Sequence, residues 1–399
     1  MSGSGMVVES ADRLPIMPTA FDVLALTSHV RIELDDSLSA ADQAAITAHW
    51  ADVAHDADGE PTRVLTAGVR ADSDPVDGSL QVSANSPEAL AQRITSQVTL
   101  EAIRGLRGEA LMLHAAAVAL DDGRVVGFVG PSGRGKTTVA RELGRVFGYV
   151  TDETLALRAD GSVLPYPKPL SIVTPSGVKA TEPASAFALK GLPPAELELA
   201  AIVLLDRRPE VAEPYFEAVS MLDALPELVA QSSFLFELDR PLGTLIETIR
   251  STGGVRRVVY SEAASIPTLI DDLLASRDET APVVMDVASL TQRGCDCSGK
   301  VLDEDEGPAA EDRPDAYWRG TFVDAMIFDD ALVVLASGRL MVLAGVGPAL
   351  WLAADGLDQA ELKAAVRRDL PAPPAEVDVD EVISEALGDL LDAKLLVRS

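Results

Sequence analysis

Two cysteines in 399 residues, Cys295 and Cys297, form only a C-D-C pair. That is no disulfide framework, and a zinc site would need ligands from elsewhere in the chain. No segment has the uninterrupted apolar length of ~20 residues that spans a bilayer, so no membrane role is expected. The opening Met1-Ser2-Gly3-Ser4-Gly5-Met6 lacks the basic and apolar regions of a secretory signal. Cytoplasmic residence is the resulting expectation. Basic residues are scarce: 33 Lys and Arg against 63 Asp and Glu leave a formal net charge of −30. Such a field repels duplex nucleic acid, which excludes it as the main partner. What is present is an ordinary hydrophobic content of 47% and a length that suggests two or three domains.

The most informative stretch runs from Val125 to Thr138. Gly130 to Thr137 fits the phosphate-binding pattern G-x-x-x-x-G-K-[ST]. An apolar, strand-like run leads in, and Thr138-Val139-Ala140-Arg141-Glu142-Leu143 reads as the first turns of a helix. The glycines let backbone N–H groups turn inward around phosphate oxygens, and the helix start adds a positive dipole end. Gly130, Ser132, Gly133, Arg134, Gly135, Lys136, Thr137 and Thr138 are therefore the expected nucleotide contacts. Lys136 reaches the β/γ-phosphates in this pattern and Thr137 ligates Mg²⁺. The cofactor is expected to be ATP or GTP with Mg²⁺. A phosphate loop alone does not say what happens to the nucleotide.

Around the loop, residues 1–108 read as a mixed α/β lead-in with no chemical signature. Phe21–Leu26 and His29–Leu34 read as strands, Ser39–His49 as a capped helix, and Pro87–Leu106 as a longer helix. Residues 109–275 form the expected nucleotide domain. Ala110–Leu120 has a buried-strand pattern, and Asp121-Asp122-Gly123 turns it directly into the phosphate-loop strand, so the two make a hairpin. Further strands are expected at Leu199–Leu205 and Val255–Tyr260, with a closing helix over Ala264–Leu274. Tyr166-Pro167-Lys168-Pro169 reads as a rigid loop and Asp206-Arg207-Arg208 as a solvated turn. Residues 276–315 read as an acidic, proline-bearing linker that lets the following module move.

Two features flank the loop at suggestive distances. His114 lies 16 residues before Gly130, and Asp152-Glu153 follows it by 22 and 23 residues, at the end of an expected strand Tyr149-Val150-Thr151. One carboxylate there can hold the metal, and the other can take a proton from an attacking hydroxyl. Leu113-His114-Ala115, Gly130–Thr137 and Thr151-Asp152-Glu153 together resemble the HPr kinase/phosphorylase family. The resemblance covers roughly Gly108–Leu170, extending with weaker support to Leu274. It implies a nucleotide-binding fold like that of phosphoenolpyruvate carboxykinase, and γ-phosphoryl transfer to a serine hydroxyl of a protein. It further implies that Thr137 and Asp152 hold Mg²⁺, Glu153 is the base, and His114 stands nearby. The family's acidic pair is usually two aspartates, whereas Glu153 carries an extra methylene. Its arginine- and glycine-containing signature is also missing downstream. Reverse phosphorolysis and the sugar-transport phosphocarrier are therefore not expected here.

Residues 316–399 make a second signal. Ala325–Phe328, Ala331–Leu335 and Leu340–Leu343 read as short strands. Helices follow from Pro348, over Leu357–Leu370 and over Val379–Leu390. Val346–Gly356 and Leu387–Leu396 resemble the PqqD-like family, the peptide-recognition element of ribosomal-peptide biosynthesis. The resemblance implies a small α+β winged-helix domain that binds a leader peptide as an added strand. The matching edge here is Arg339, Leu340, Met341, Val342 and Leu343.

The expectation is an α/β protein: a mixed-sheet phosphate-loop domain joined to a winged-helix recognition domain. Its expected activity is that of an ATP-dependent phosphotransferase acting on a Ser or Thr of a precursor peptide. The alternatives are a small-molecule (amino acid) kinase and a nucleotide-driven peptide-delivery protein. Assembly into a homo-oligomer is left open by the sequence.

Overall fold

Alternation of inward and outward side chains builds the first layer of the computed structural model, which describes residues 19–55, 59–70, 80–173, 179–276, 284–288, 290, 313–328, 331–369 and 378–399. Strands β1 (Thr19–Ala25) and β2 (Ser28–Leu34) pair antiparallel and bury Val23, Ala25, Val30, Ile32 and Leu34. Helix α1 (Ala40–Ala48) starts at Ser39, whose hydroxyl accepts the Asp42 N–H at 3.2 Å, as the sequence predicts. Strands β3 (Arg63–Val69) and β4 (Gln81–Ala84) extend the sheet in parallel. Helix α2 (Pro87–Gly105) covers it with Leu90, Ile94, Val98 and Ala102, one residue per turn. The same core takes in Met112, Ala156, Leu164 and Tyr166 from the next layer, so this region backs the nucleotide domain.

The central layer starts with the hairpin of β5 (Leu111–Ala119) and β6 (Arg124–Val129), followed by α3 (Lys136–Gly144) and β7 (Gly148–Thr151). Then come β8 (Thr154–Leu157), β9 (Val163–Leu164), and the separate pair β10 (Leu170–Val173) and β11 (Lys179–Glu182). β12 (Glu198–Arg207) runs parallel to β6. After it come β13 (Tyr215–Val219), α4 (Met221–Ala230), β14 (Ser232–Ser233), α5 (Pro241–Ser251), β15 (Val255–Tyr260) and α6 (Ile270–Ala275). The nine-stranded sheet runs β13-β15-β12-β6-β5-β8-β9, with β7 and β14 also on β5. β5 feeds Leu113, Ala115, Ala117 and Ala119 into one core and Ala116 and Val118 into another. Burial on both faces explains its nearly unbroken apolar run. Two expectations need correction. Asp206 and Arg207 belong to β12, not to a turn. The closing helix begins as a 3-10 stretch, Ala263–Leu269, because Pro267 cannot donate a helical hydrogen bond.

Three strands followed by three helices recur at the C-terminal end, with additions. β16 (Val284–Asp286), β17 (Tyr317–Arg319), β18 (Asp324–Phe328), β19 (Ala331–Ala336) and β20 (Arg339–Leu343) precede α7 (Gly347–Ala353). β21 (Asp355–Leu357), α8 (Gln359–Asp369), α9 (Val379–Asp392) and β22 (Leu396–Arg398) complete the chain. The sheets are β16-β18-β19-β20 and β21-β17-β22. β16 falls inside the segment expected to be a linker. Val287 and Leu290 of that segment join the core of the C-terminal module, and most of the rest, with Cys295 and Cys297, lies outside the described residues. Nor does the module hang free. Met326, Phe328, Val333 and Leu335 share one core with Leu225, Leu242 and Leu245 of α4 and α5. The opposite face, with Leu332 and Val334, packs with Trp351, Leu362, Ile383 and Leu387. The buried Asp324 carboxylate accepts the N–H groups of Leu242 (2.8 Å) and Gly243 (3.3 Å), capping α5 from the other module. Among the described residues no helix is long and apolar enough to cross a membrane.

Candidate active site

Strand β6 stops at Val129 and α3 starts at Lys136, so the phosphate loop bridges a strand end and a helix start. Gly133 and Gly135 have φ of +81° and +93°, where a side chain would be strained. A Cβ on Gly135 would also stand 3.3 Å from the Tyr260 hydroxyl. That hydroxyl, at the end of β15, donates to the Arg134 carbonyl at 3.3 Å and braces the loop from below. Pro131, Ser132, Gly133, Arg134 and Thr138 are exposed, and Thr137 is half-buried. Lys136 is buried and folds back on the loop, donating to Gly130 O (2.6 Å) and Pro131 O (3.1 Å). Burial pulls its pKa down, while Glu153 and Asp152 push it back up. Asp206 closes β12 beside the loop strand, but its carboxylate is engaged by Arg208 at 2.6 and 2.9 Å.

The acidic pair owes its position to β5. β7 lies opposite Ala117–Ala119 and β8 opposite Leu111–His114, both antiparallel to β5. Thr151 pairs with Ala117 and Thr154 with His114, so Asp152-Glu153 is a bend within one long strand, in unbroken register opposite Ala116 and Ala115. The Ala115 N–H still reaches Glu153 O at 3.0 Å. Thr151 Oγ1 accepts the N–H groups of Glu153 (3.3 Å) and Thr154 (3.2 Å), which fixes the corner. The two side chains end in different surroundings: Asp152 is 3% exposed and Glu153 40%. Tyr149 donates its hydroxyl to Asp152 Oδ1 at 3.3 Å, and burial together with Asp152 holds that phenol protonated. The His114 N–H donates to Gln231 O at 2.7 Å. Burial, then the Lys136 charge, depress the pKa of its imidazole against the pull of Glu153 and Asp152. His114, Lys136, Asp152 and Glu153 thus share one electrostatic environment.

Sequence reasoning placed Lys168 in a rigid loop and did not pair it with the carboxylates. The loop Tyr166–Pro169 carries it into the interior, where it is 1% exposed. Its ammonium lies 2.9 Å from Asp152 Oδ1 and 3.0 Å from Glu153 Oε2, and it donates to Pro169 O at 3.2 Å. Burial alone would lower its pKa, but Asp152 and Glu153 outweigh this and the net shift is upward. The available signal was a lysine locked between two prolines, in a loop that a solvated side chain would not need to be rigid.

Among the described residues no cluster of three or more His, Cys, Asp or Glu side chains could hold a metal alone. Mg²⁺ commonly takes one or two carboxylates and completes its shell with phosphates and water. The oxygen donors of Thr137 and Asp152 fit a metal that arrives on a nucleotide. The expected peptide edge belongs to a different sheet. β20 is its terminal strand, with Arg339 and Val342 exposed, Leu340 and Met341 half-buried, and Leu343 buried.

Comparison with known protein families and with curated proteins finds no match. Among solved structures, the HPr(Ser) kinase/phosphatase from Coxiella burnetii is similar over 41% of this chain and 93% of its own. The identity is 14% and the TM-score 0.24, a likeness that carries no argument about fold or activity. The functional reading therefore rests on the geometry of the site.

Proposed function

We propose that the chain is an ATP-dependent kinase that transfers the γ-phosphoryl group to a Ser or Thr hydroxyl of a ribosomally made precursor peptide. The observation that carries the kinase reading is the bend at Asp152-Glu153, whose carboxylates lie within the electrostatic reach of both His114 and Lys136 at the phosphate loop. Phosphoryl transfer needs a cradle for the phosphates, a metal ligand and an acceptor base, held together without water-driven rearrangement. Loop N–H groups and Lys136 make the cradle. Asp152, buried and anchored, serves the metal with Thr137. Glu153, the more exposed carboxylate, takes the hydroxyl proton as that oxygen attacks phosphorus and the bond to ADP breaks. The neutral His114 stands beside them.

The peptide part of the reading is supported by an edge strand, β20, with unpaired backbone groups and apolar side chains beside it. The test is incubation of the full chain with γ-labelled Mg-ATP and a precursor peptide encoded beside its gene. Label on a Ser or Thr is the expected result. Labelling of free amino acids in place of the peptide moves the substrate to a small alcohol. ADP release with no labelled product points to nucleotide-driven peptide delivery.

A further inference from the structure

Lys168 is the most completely enclosed charge near the site, and nothing in the kinase reading uses it. All three of its donors are taken by Asp152, Glu153 and Pro169 O. Its backbone is held as firmly. The Lys168 N–H reaches Tyr166 O at 2.8 Å, the single Tyr149 O–H is shared between Asp152 Oδ1 and Lys168 O, each at 3.3 Å, and the Tyr166 N–H ties the loop to Val150 O at 2.9 Å. Two carboxylates converging on one point repel each other, and an ammonium buried without them is strongly disfavoured. Each side of the cluster therefore requires the other.

We propose that Lys168 is the resident cation of the acidic pair, occupying in the nucleotide-free protein the place between Asp152 and Glu153 that a divalent metal contests when it arrives on the nucleotide. This rests on the assignment of Asp152 as a metal ligand. A pair already half neutralised from within offers less to a free divalent ion, which favours metal and nucleotide entering together. Once the metal engages Asp152, the ammonium keeps its contact with Glu153 and holds that carboxylate in place. Lys168 is thus a positioning residue, and the exposed edge of Glu153 leaves the pair open to the incoming metal.

The experiment is a Mn²⁺ titration of the full chain without nucleotide, followed by the electron paramagnetic resonance of free Mn²⁺. Wild type should bind weakly. Lys168→Met and Lys168→Gln should bind at least about tenfold more tightly, the low end of what removing one adjacent like charge does to an equilibrium. Lys168→Arg, which keeps the charge, should stay at the wild-type affinity. Neutral variants that bind Mn²⁺ no better than wild type overturn the proposal. A variant too unstable to titrate is read by its thermal midpoint with and without Mn²⁺, since a ligand of the native state raises it. A rise supports the resident-cation role, and no rise overturns it. Loss of the kinase reading registers elsewhere, as a wild-type chain that fails to bind Mg-ATP in calorimetry.

Discussion

Lys136 spends its charge on Gly130 O and Pro131 O, so a nucleotide must win the ammonium from two carbonyls of its own loop. In a chain of net charge −30 that ammonium is the main local attraction for a triphosphate. Lys136→Ala should therefore abolish measurable Mg-ATP binding in isothermal titration, and unchanged affinity would remove the loop from the account. Glu153→Gln should behave differently. Nucleotide affinity should stay within about twofold while transfer falls ~10²-fold or more, the usual size of a lost general base. His114 carries a pH signature. Its folded pKa lies below the usual 6.5 through burial and the Lys136 charge. Above pH 6.5 both folded and unfolded chains are neutral there, and the stability is fully present. As the pH falls through the depressed folded value, the unfolded chain takes its proton first and stability is lost. His114→Gln should narrow the difference between thermal midpoints at pH 7.5 and pH 5.5. An unchanged difference would assign the acid sensitivity to other groups, such as the similarly shifted His49.

At the scale of elements, α5 starts on a carboxylate from another module. Asp324→Ala strands the N–H groups of Leu242 and Gly243, and should cost about 0.5–2 kcal/mol, read as a lower thermal midpoint. Asp324→Asn keeps an acceptor and should recover most of it. The β19–β20 hairpin closes on Ser337 and Gly338, both at positive φ, a two-residue turn that fixes the register Ala336↔Arg339 and Val334↔Met341. Those pairs face inward across the ladder, which leaves Leu340 and Val342 to present their N–H groups at the edge. Val342→Pro should weaken binding of a precursor peptide while leaving ATP binding intact, because proline is tolerated at an edge but cannot donate. Equal affinity for wild type and variant in a peptide titration would move recognition away from β20.

For the whole molecule, the decisive feature is a core that crosses from the nucleotide domain into the C-terminal module. Met326, Phe328, Val333 and Leu335 are all buried there, each contributing about 1.5–3 kcal/mol if fully transferred from water. A chain given a protease site at Pro308 and cut after purification should therefore still elute as one species. Separation into two fragments would mean that the docked face does not hold. Truncation at the same point is a different perturbation. It should expose the apolar faces of α4 and α5 and yield an aggregating product, not a free nucleotide domain.

The hairpin, the phosphate loop and α3 were legible in the sequence because their signals are local: an apolar run, a turn, glycines at positive φ, then helix periodicity. The cap at Ser39 was equally local. Composition alone supplied the expectations about membrane, disulfide and nucleic-acid roles. What no local pattern contains is which distant groups meet. The pairing of β7 and β8 with one strand makes Asp152-Glu153 a bend opposite the middle of that strand, and the strand-end reading of the sequence could not supply that. Lys168 reads as a loop residue until the fold buries it between two carboxylates, and Asp324 carries no signal until it caps a helix more than eighty positions away. Periodicity and turn chemistry act over a few residues and belong to the sequence. Burial, charge pairing and the docking of one module on another act through space, and only the tertiary structure decides them.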